Sequence, residues 1–344
     1  MTKEMCSGDK KEKILLILTG GTICSSENSE GKRSSHADEA KYKIVSAFRE
    51  SDSPYRDVDF DYRTPLDILS ENMTVKAWNT LLDEFRRIEN ISDYKGIIIL
   101  HGTDTLAYTS SLLSFMLTHL EIPVILVSSQ LPLDCEGTNA KANFRAAAEL
   151  IMNGIEPNVY AVYRNSDGNI YLHYGNHLKQ CESFSDDFFS RDMEKIWNTQ
   201  NASAKGRPFT DNPRLLSGVA ELKGKVLSIT PYVGIDYNCY NLDGVSAVIH
   251  YTYHSQTVCV DGDNSIVSLA EKCKKSGTDL FITPCSPDSY KYETTKKALE
   301  SGAVPISSMT HEAAYVKALI GTSLGLKVAE LADFIGREIN GEMV

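Results

Sequence analysis

Two hydrophobic rhythms alternate along the chain. Runs of consecutive apolar residues, Lys13-Ile-Leu-Leu-Ile-Leu18, Gly96-Ile-Ile-Ile-Leu100, Pro123-Val-Ile-Leu-Val127 and Asn158-Val-Tyr-Ala-Val162, have the composition of strands covered on both faces. Between them, Trp78, Leu81, Leu82, Phe85 and Ile88 recur at helical spacing behind a capping candidate, Thr74. Residues 105–120 and 140–152 also read as helices. Strand–helix–strand alternation predicts a parallel sheet with helices on both sides.

The rhythm breaks between residues 190 and 224, where Asn-Ala-Ser-Ala-Lys-Gly-Arg-Pro and Asp-Asn-Pro-Arg are rich in turn formers and poor in apolar residues. It then resumes, with strands at Val226-Leu-Ser-Ile229, Ala247-Val-Ile-His-Tyr251, Asp279-Leu-Phe-Ile282 and Val304-Pro-Ile306. Helices are expected over 266–276 and 292–301, closed by Gly277 and Gly302, with Lys272, Lys274 and Lys275 complementing the dipole of the first. The break divides the 344 residues into an N-terminal α/β domain (1–195), a linker (196–224) and a C-terminal α/β domain (225–344).

Composition narrows the partners. Lys plus Arg number 35 against 46 Asp plus Glu, a net charge of −11 with no basic block, which argues against nucleic acid and anionic membranes. No apolar run approaches the roughly 20 residues of a membrane span. The first residues are charged where a signal peptide needs an apolar stretch. Eight cysteines are scattered with no C-x-x-C pair, as expected of reduced thiols in a cytoplasmic protein rather than a disulfide framework or a zinc site.

Ligands of open parallel sheets collect at the carboxyl ends of strands. The first strand runs into Thr19-Gly20-Gly21-Thr22-Ile23 and another into His101-Gly102-Thr103-Asp104-Thr105. Paired glycines let backbone N–H groups approach a ligand, and threonines set hydroxyls beside them, so the first motif suits an oxyanion cradle with a nucleophilic hydroxyl. A tight turn with a Thr cap gives the same letters. The motif is not G-x-G-x-x-G and no Walker lysine follows. In the second motif a hydroxyl adjoins a carboxylate; a lysine whose proton is shared with that carboxylate could activate it. Thr103 or Asp104 could equally cap the following helix. His101 reads as a packing residue, and His250, His254 and His311 show no ligand spacing.

Jointly, Thr19-Gly-Gly-Thr-Ile23 and His101-Gly-Thr-Asp-Thr-Leu-Ala-Tyr-Thr109 resemble the two signature motifs of the bacterial-type L-asparaginase family, most closely its cytoplasmic type I members. Ser70-Glu71-Asn72-Met73-Thr74, Ser128-Ser129-Gln130-Leu131-Pro132 and Met309-Thr310-His311-Glu312-Ala313 fit in order, so the resemblance spans about the whole chain. It implies that Thr22 is the primary nucleophile and that Thr103 is activated by a lysine paired with Asp104. Lys179 is assigned as that lysine because Asp187, Phe188 and Ser190 follow at the family's approximate spacing. It further implies that Ser70 and Glu71 bind the substrate carboxylate and amino group, that N–H groups near Gly21 and Gly102 hold substrate and oxyanion, and that no metal or organic cofactor is needed.

Two departures stand out. The family places a tyrosine on a mobile loop after the first motif; residues 24–41 contain none, Lys32 beside Gly31 occupies that region, and Tyr42 is the first tyrosine available. The family also offers an Asn from the neighbouring subunit, where this chain has Tyr253-His254-Ser255-Gln256, making Ser255 the candidate. The expectation is therefore a two-domain α/β protein, with a larger N-terminal parallel-sheet domain and a smaller flavodoxin- or Rossmann-like C-terminal one. It would hydrolyse L-asparagine to L-aspartate and ammonia as a homodimer or homotetramer with intersubunit sites. The alternatives are a dual glutaminase-asparaginase, separated by one methylene worth about 1–3 kcal/mol, and an amino-acid-binding sensor without catalysis. An amidotransferase component serving tRNA-bound glutamate is disfavoured by the acidic charge and by a first strand that begins at Lys13.

Overall fold

The computed structural model describes residues 12–27, 33–191, 193–196, 215–307 and 309–343. From the N-terminus the elements are β1 (Lys13–Leu18), β2 (Ser25–Glu27), β3 (Arg33–Ser35), α1 (Ala37–Arg49), β4 (Asp59–Arg63) and α2 (Val75–Arg87). There follow β5 (Gly96–Leu100), α3 (Leu106–Met116), β6 (Val124–Val127), α4 (Ala140–Met152), β7 (Val159–Arg164), β8 (Ile170–Tyr174) and β9 (Glu194–Ile196). The second half contains α5 (Leu215–Gly218), β10 (Val226–Ile229), β11 (Ala247–Tyr251), α6 (Ile266–Ser276) and β12 (Asp279–Thr283). The chain then forms α7 (Glu293–Glu300), β13 (Val304–Pro305), α8 (His311–Ser323) and α9 (Ala329–Gly336).

The larger sheet has the order β4-β1-β5-β6-β7-β8-β9, and the smaller β10-β11-β12-β13. Strands β4 through β7 of the larger sheet and all four of the smaller pair in parallel. The larger sheet is parallel as expected, with an antiparallel edge: β8 pairs antiparallel with β7 and β9 with β8. The hairpin register Arg164↔Ile170 needs only a short turn, which helical spacing could not announce. The helix expected over 105–120 is shorter, Leu106–Met116.

Consecutive apolar residues in the strands are explained by two cores. Leu15, Ile17, Ile97 and Ile99 face α2 and α3, while Ile14, Leu16, Leu18, Ile98 and Leu100 face α1 and α4. Each of these side chains is fully buried and contributes roughly 1.5–3 kcal/mol by leaving water. The first core continues into the smaller domain through Ala247, Ile249, Phe281 and α8, whereas Val248, Leu280 and Ile282 face α6. Helix α3 is therefore covered on every side, and its Tyr108 meets Tyr315 of α8 edge to face at 5.7 Å. The fold is thus a two-domain α/β fold with a continuous core between the sheets.

The C-terminal residues clasp both domains. Lys317, fully buried, donates to Glu342 Oε1 at 2.5 Å and to the Arg337 carbonyl at 2.6 Å. Glu342 also accepts from the Ile339 and Asn340 N–H groups. Asn340 then donates to the Ser114 carbonyl, and Asn176 donates to the Asn340 carbonyl at 2.8 Å. The turn-rich motifs expected at the interdomain break lie largely outside the described residues. Its described end is packed: Leu215, Leu216 and Val219 join the core, and Arg86 donates to the Leu216 and Val219 carbonyls.

Candidate active site

Strands β1 and β5 are neighbours, with Leu18 opposite Leu100, so the segments leaving their carboxyl ends depart side by side. Thr19 donates both its N–H (3.0 Å) and its hydroxyl (2.9 Å) to the Leu100 carbonyl. Gly21, at φ +81°, donates its N–H to the Ile68 carbonyl at 2.8 Å. A Cβ on Gly21 would lie 2.3 Å from Cα and N of Gly102; one on Gly102 would lie 2.3 Å from Ser70 Oγ. Gly21 and Gly102 therefore touch backbone to backbone, and Gly102 packs directly under the Ser70 side chain, approaches open only to glycine. Thr22, which opens the 3-10 turn Thr22–Cys24, and Thr103 follow these two glycines, and both remain partly accessible. Among the described residues neither hydroxyl makes a hydrogen bond.

The capping alternative for the second motif does not hold. The N-cap of α3 is Thr105, without a side-chain cap, and Leu106 donates to the backbone carbonyl of Thr103. Asp104 instead turns to Ser70: Ser70 Oγ donates to Asp104 Oδ2 at 3.0 Å and accepts from the Asp104 N–H at 3.2 Å. The Thr105 hydroxyl completes the clamp by donating to the Ser70 carbonyl at 3.0 Å. Glu71 follows in the 3-10 turn Ser70–Asn72 and is exposed. His101 is fully buried, with Nδ1 2.7 Å from the Gly102 carbonyl, which leaves Nδ1–H as the donor. Burial pushes its pKa down to about 4, so it is neutral and serves packing, as the sequence suggests.

Thr103 and Asp104 line a cavity of about 310 Å³ together with Gln130, Tyr163 and Gln180. Lys179 faces a different cavity, of about 540 Å³, between the domains, with His177, Arg191, Thr310 and His311. The expected pairing of its ammonium with Asp104 is not formed: among the described residues that ammonium makes no hydrogen bond or ion pair. The neighbouring Gln180 bridges instead, donating Nε2 to the Asp104 carbonyl. The backbone of Lys179 is fixed to the Phe189 carbonyl at 3.0 Å. Ser255 sits exposed in the turn after β11 and lines neither cavity, so one chain does not bring it to the threonines. Lys32 and Gly31 lie outside the described residues; Tyr42, on α1, packs toward Tyr62.

Sequence reasoning missed Gln180, and met Glu312 only as part of the run Met309–Ala313 without assigning it a role. Glu312 is 4% exposed and accepts from the Gln180 N–H at 2.9 Å. Besides that run, its sequence signal is its place in the first turn behind Thr310, whose hydroxyl accepts from the Ala313 N–H at 3.2 Å.

Two parallel-strand ends meet through glycines, each followed by a threonine, and beside them a carboxylate is held by a serine. The chain belongs to the asparaginase family: the family's N-terminal domain model matches residues 13–207. It is 25% identical to the L-asparaginase of Thermococcus kodakarensis over 96% of this chain and 99% of that one. It is also 26% identical to a glutamyl-tRNA(Gln) amidotransferase subunit from Methanosphaera stadtmanae, over 97% of this chain and 77% of that one. Among solved structures, the thermostable L-asparaginase from T. kodakarensis superposes with TM-score 0.74 at 24% identity, covering 96% of this chain and 99% of its own. L-asparaginase I from Vibrio cholerae O1 biovar eltor superposes with TM-score 0.73 at 24% identity, covering 97% and 99%.

Proposed function

We propose that this chain hydrolyses the side-chain amide of L-asparagine. The hydroxyl oxygen of Thr22 or Thr103 attacks the amide carbon; its proton passes, through Lys179 assisted by Asp104, to the departing nitrogen, which leaves as ammonia. Water then attacks the β-aspartyl ester, releasing aspartate and restoring the hydroxyl. N–H groups near Gly21 and Gly102 receive the oxyanion, and Ser70 and Glu71 hold the α-carboxylate and α-amino groups. For Lys179 to serve, its side chain must swing toward Thr103 from the interdomain cavity when substrate arrives, as apo catalytic contacts often tighten on binding. Ser255 of a neighbouring copy is the candidate to close the site in a homodimer or homotetramer.

The observation that supports this reading most is the approach of Gly21 to Gly102 at adjoining strand ends, each glycine being followed in sequence by one of the two threonines. Ammonia release from Asn and from Gln is the test. Release from Asn, lost in Thr103→Val and in Lys179→Met with the fold retained, upholds it; release from neither amide at millimolar substrate overturns it in favour of an amino-acid-binding protein. Comparable release from both would make the enzyme a dual glutaminase-asparaginase. A second reading rests on the relatives named as components of a glutamyl-tRNA(Gln) amidotransferase; the net charge of −11 opposes a tRNA-facing surface.

A further inference from the structure

The loop carrying Lys179 belongs to the larger domain, yet it is held from the smaller one. Glu312, in the first turn of α8, accepts the Gln180 N–H through Oε1 at 2.9 Å, while its Oε2 is buried without a hydrogen-bond partner among the described residues. Gln180 then donates Nε2 to the Asp104 carbonyl. This makes a continuous path from α8 through Gln180 to the Thr103–Asp104 motif. Further back, the tail carbonyls of Asn340 and Gly341 receive Asn176 at 2.8 Å and His177 at 2.7 Å. A buried carboxylate with one orphan oxygen lowers stability, so its presence beside a candidate catalytic lysine calls for a role other than packing.

We propose that Glu312 is a positioning residue for Lys179: its carboxylate fixes the Lys179–Gln180 peptide and faces the lysine, so the C-terminal domain sets where the proton carrier stands relative to Thr103. This rests on the reading of Lys179 as that carrier. The groups facing Glu312 are Lys179, Tyr108 of α3 and Tyr251 of β11, with His311 beside it on α8. Burial raises its carboxyl pKa, and the Gln180 N–H and the lysine charge pull it back. Burial also pushes Tyr108 up to about 12 and His311 down to about 3, so neither changes charge in a neutral-to-alkaline assay.

Steady-state ammonia release by Glu312→Gln, Glu312→Ala, Lys179→Met and the Lys179→Met/Glu312→Ala pair tests this. Glu312→Gln keeps the acceptor for Gln180 and removes the charge. It should hold kcat within about threefold of wild type, because the Gln180 N–H keeps its acceptor. Glu312→Ala should lower kcat about tenfold or more with KM changed less than about threefold, and the pair should be no slower than Lys179→Met alone. If Glu312→Ala does not fold, Glu312→Met, which fills the space without an acceptor, takes its place. An inactive Lys179→Met together with wild-type kcat in the variant that lacks the acceptor overturns the positioning role; a fully active Lys179→Met overturns the lysine assignment itself.

Discussion

Ser70 and Asp104, from separate loops, are locked by a reciprocal pair of hydrogen bonds: the serine hydroxyl donates to the aspartate carboxylate at 3.0 Å and accepts from the aspartate's own N–H at 3.2 Å. The serine thus orients the carboxylate, and its one hydroxyl proton is committed to it. Ser70→Ala should reduce kcat/KM for asparagine about tenfold or more, since it loosens Asp104. The stability loss should stay near 1 kcal/mol, the typical net value of such a bond. Measured kcat/KM within twofold of wild type would dissociate Ser70 from the reaction.

The contact between Gly21 and Gly102 leaves no room for a methyl group. Gly21→Ala would set a Cβ 2.3 Å from Gly102 at φ +81°, so both space and backbone oppose it. Expected losses are about 1–3 kcal/mol from overpacking, with additional strain, and ammonia release should vanish. Gly218→Ala is the matched control, because its Cβ meets nothing within 4 Å inside helix α5. Thermal melts of the two variants side by side check the contrast.

The Lys317–Glu342 pair is fully buried and anchors the C-terminal clasp. Lys317→Met leaves the Glu342 charge without its cation and should cost about 3–5 kcal/mol. Adding Glu342→Leu should recover part of that loss, since a paired apolar replacement no longer buries a lone charge. Chemical denaturation of the single and double variants reads this directly; equal destabilisation in both would place the stabilisation in the backbone contacts of Glu342 instead.

Four of the buried histidines make stability pH-dependent. Burial pushes His101 and His250 down to about 4, and His173 and His311 down to about 3. The unfolded chain, with histidine near pH 6.5, therefore binds more protons than the native one below that pH, and stability falls as pH drops from 6.5 toward 4. Each fully unprotonated native histidine contributes a slope of about 1.4 kcal/mol per pH unit there. Glu312, whose pKa moves up, opposes this by at most one proton. Unfolding free energies from pH 7.5 to 5 should decline with an uptake approaching about three to four protons; a flat profile would contradict the neutral buried state of these rings.

The two-domain α/β class was legible because its strands are short, apolar and consecutive, and because α2 and α6 carry apolar stripes, Trp78, Leu81, Leu82 and Phe85 in the first and Ile266, Leu269, Ala270 and Cys273 in the second. Gly277, in the left-handed conformation at φ +66°, closes α6 as its type requires. Helix α8 was not legible: it is buried all round, so no stripe separates it from its surroundings. Strands β8 and β9 pair antiparallel at the sheet edge, where their partner is set by tertiary contacts. In the site, the glycine–threonine motifs were visible as letters, and the hydrogen bonds of Ser70 told cap from clamp at Asp104. Gln180 and Glu312 act across 132 positions, a separation that local pattern cannot carry.

The central claim is a transient ester on one of two threonines. Wild-type protein turning over L-asparagine, quenched in acid and mapped by peptide mass spectrometry, should carry an aspartyl adduct on the peptide holding Thr22 or on that holding Thr103, lost in the matching Thr→Val variant. Ammonia released while both peptides remain unmodified, or an adduct on any other side chain, would contradict it.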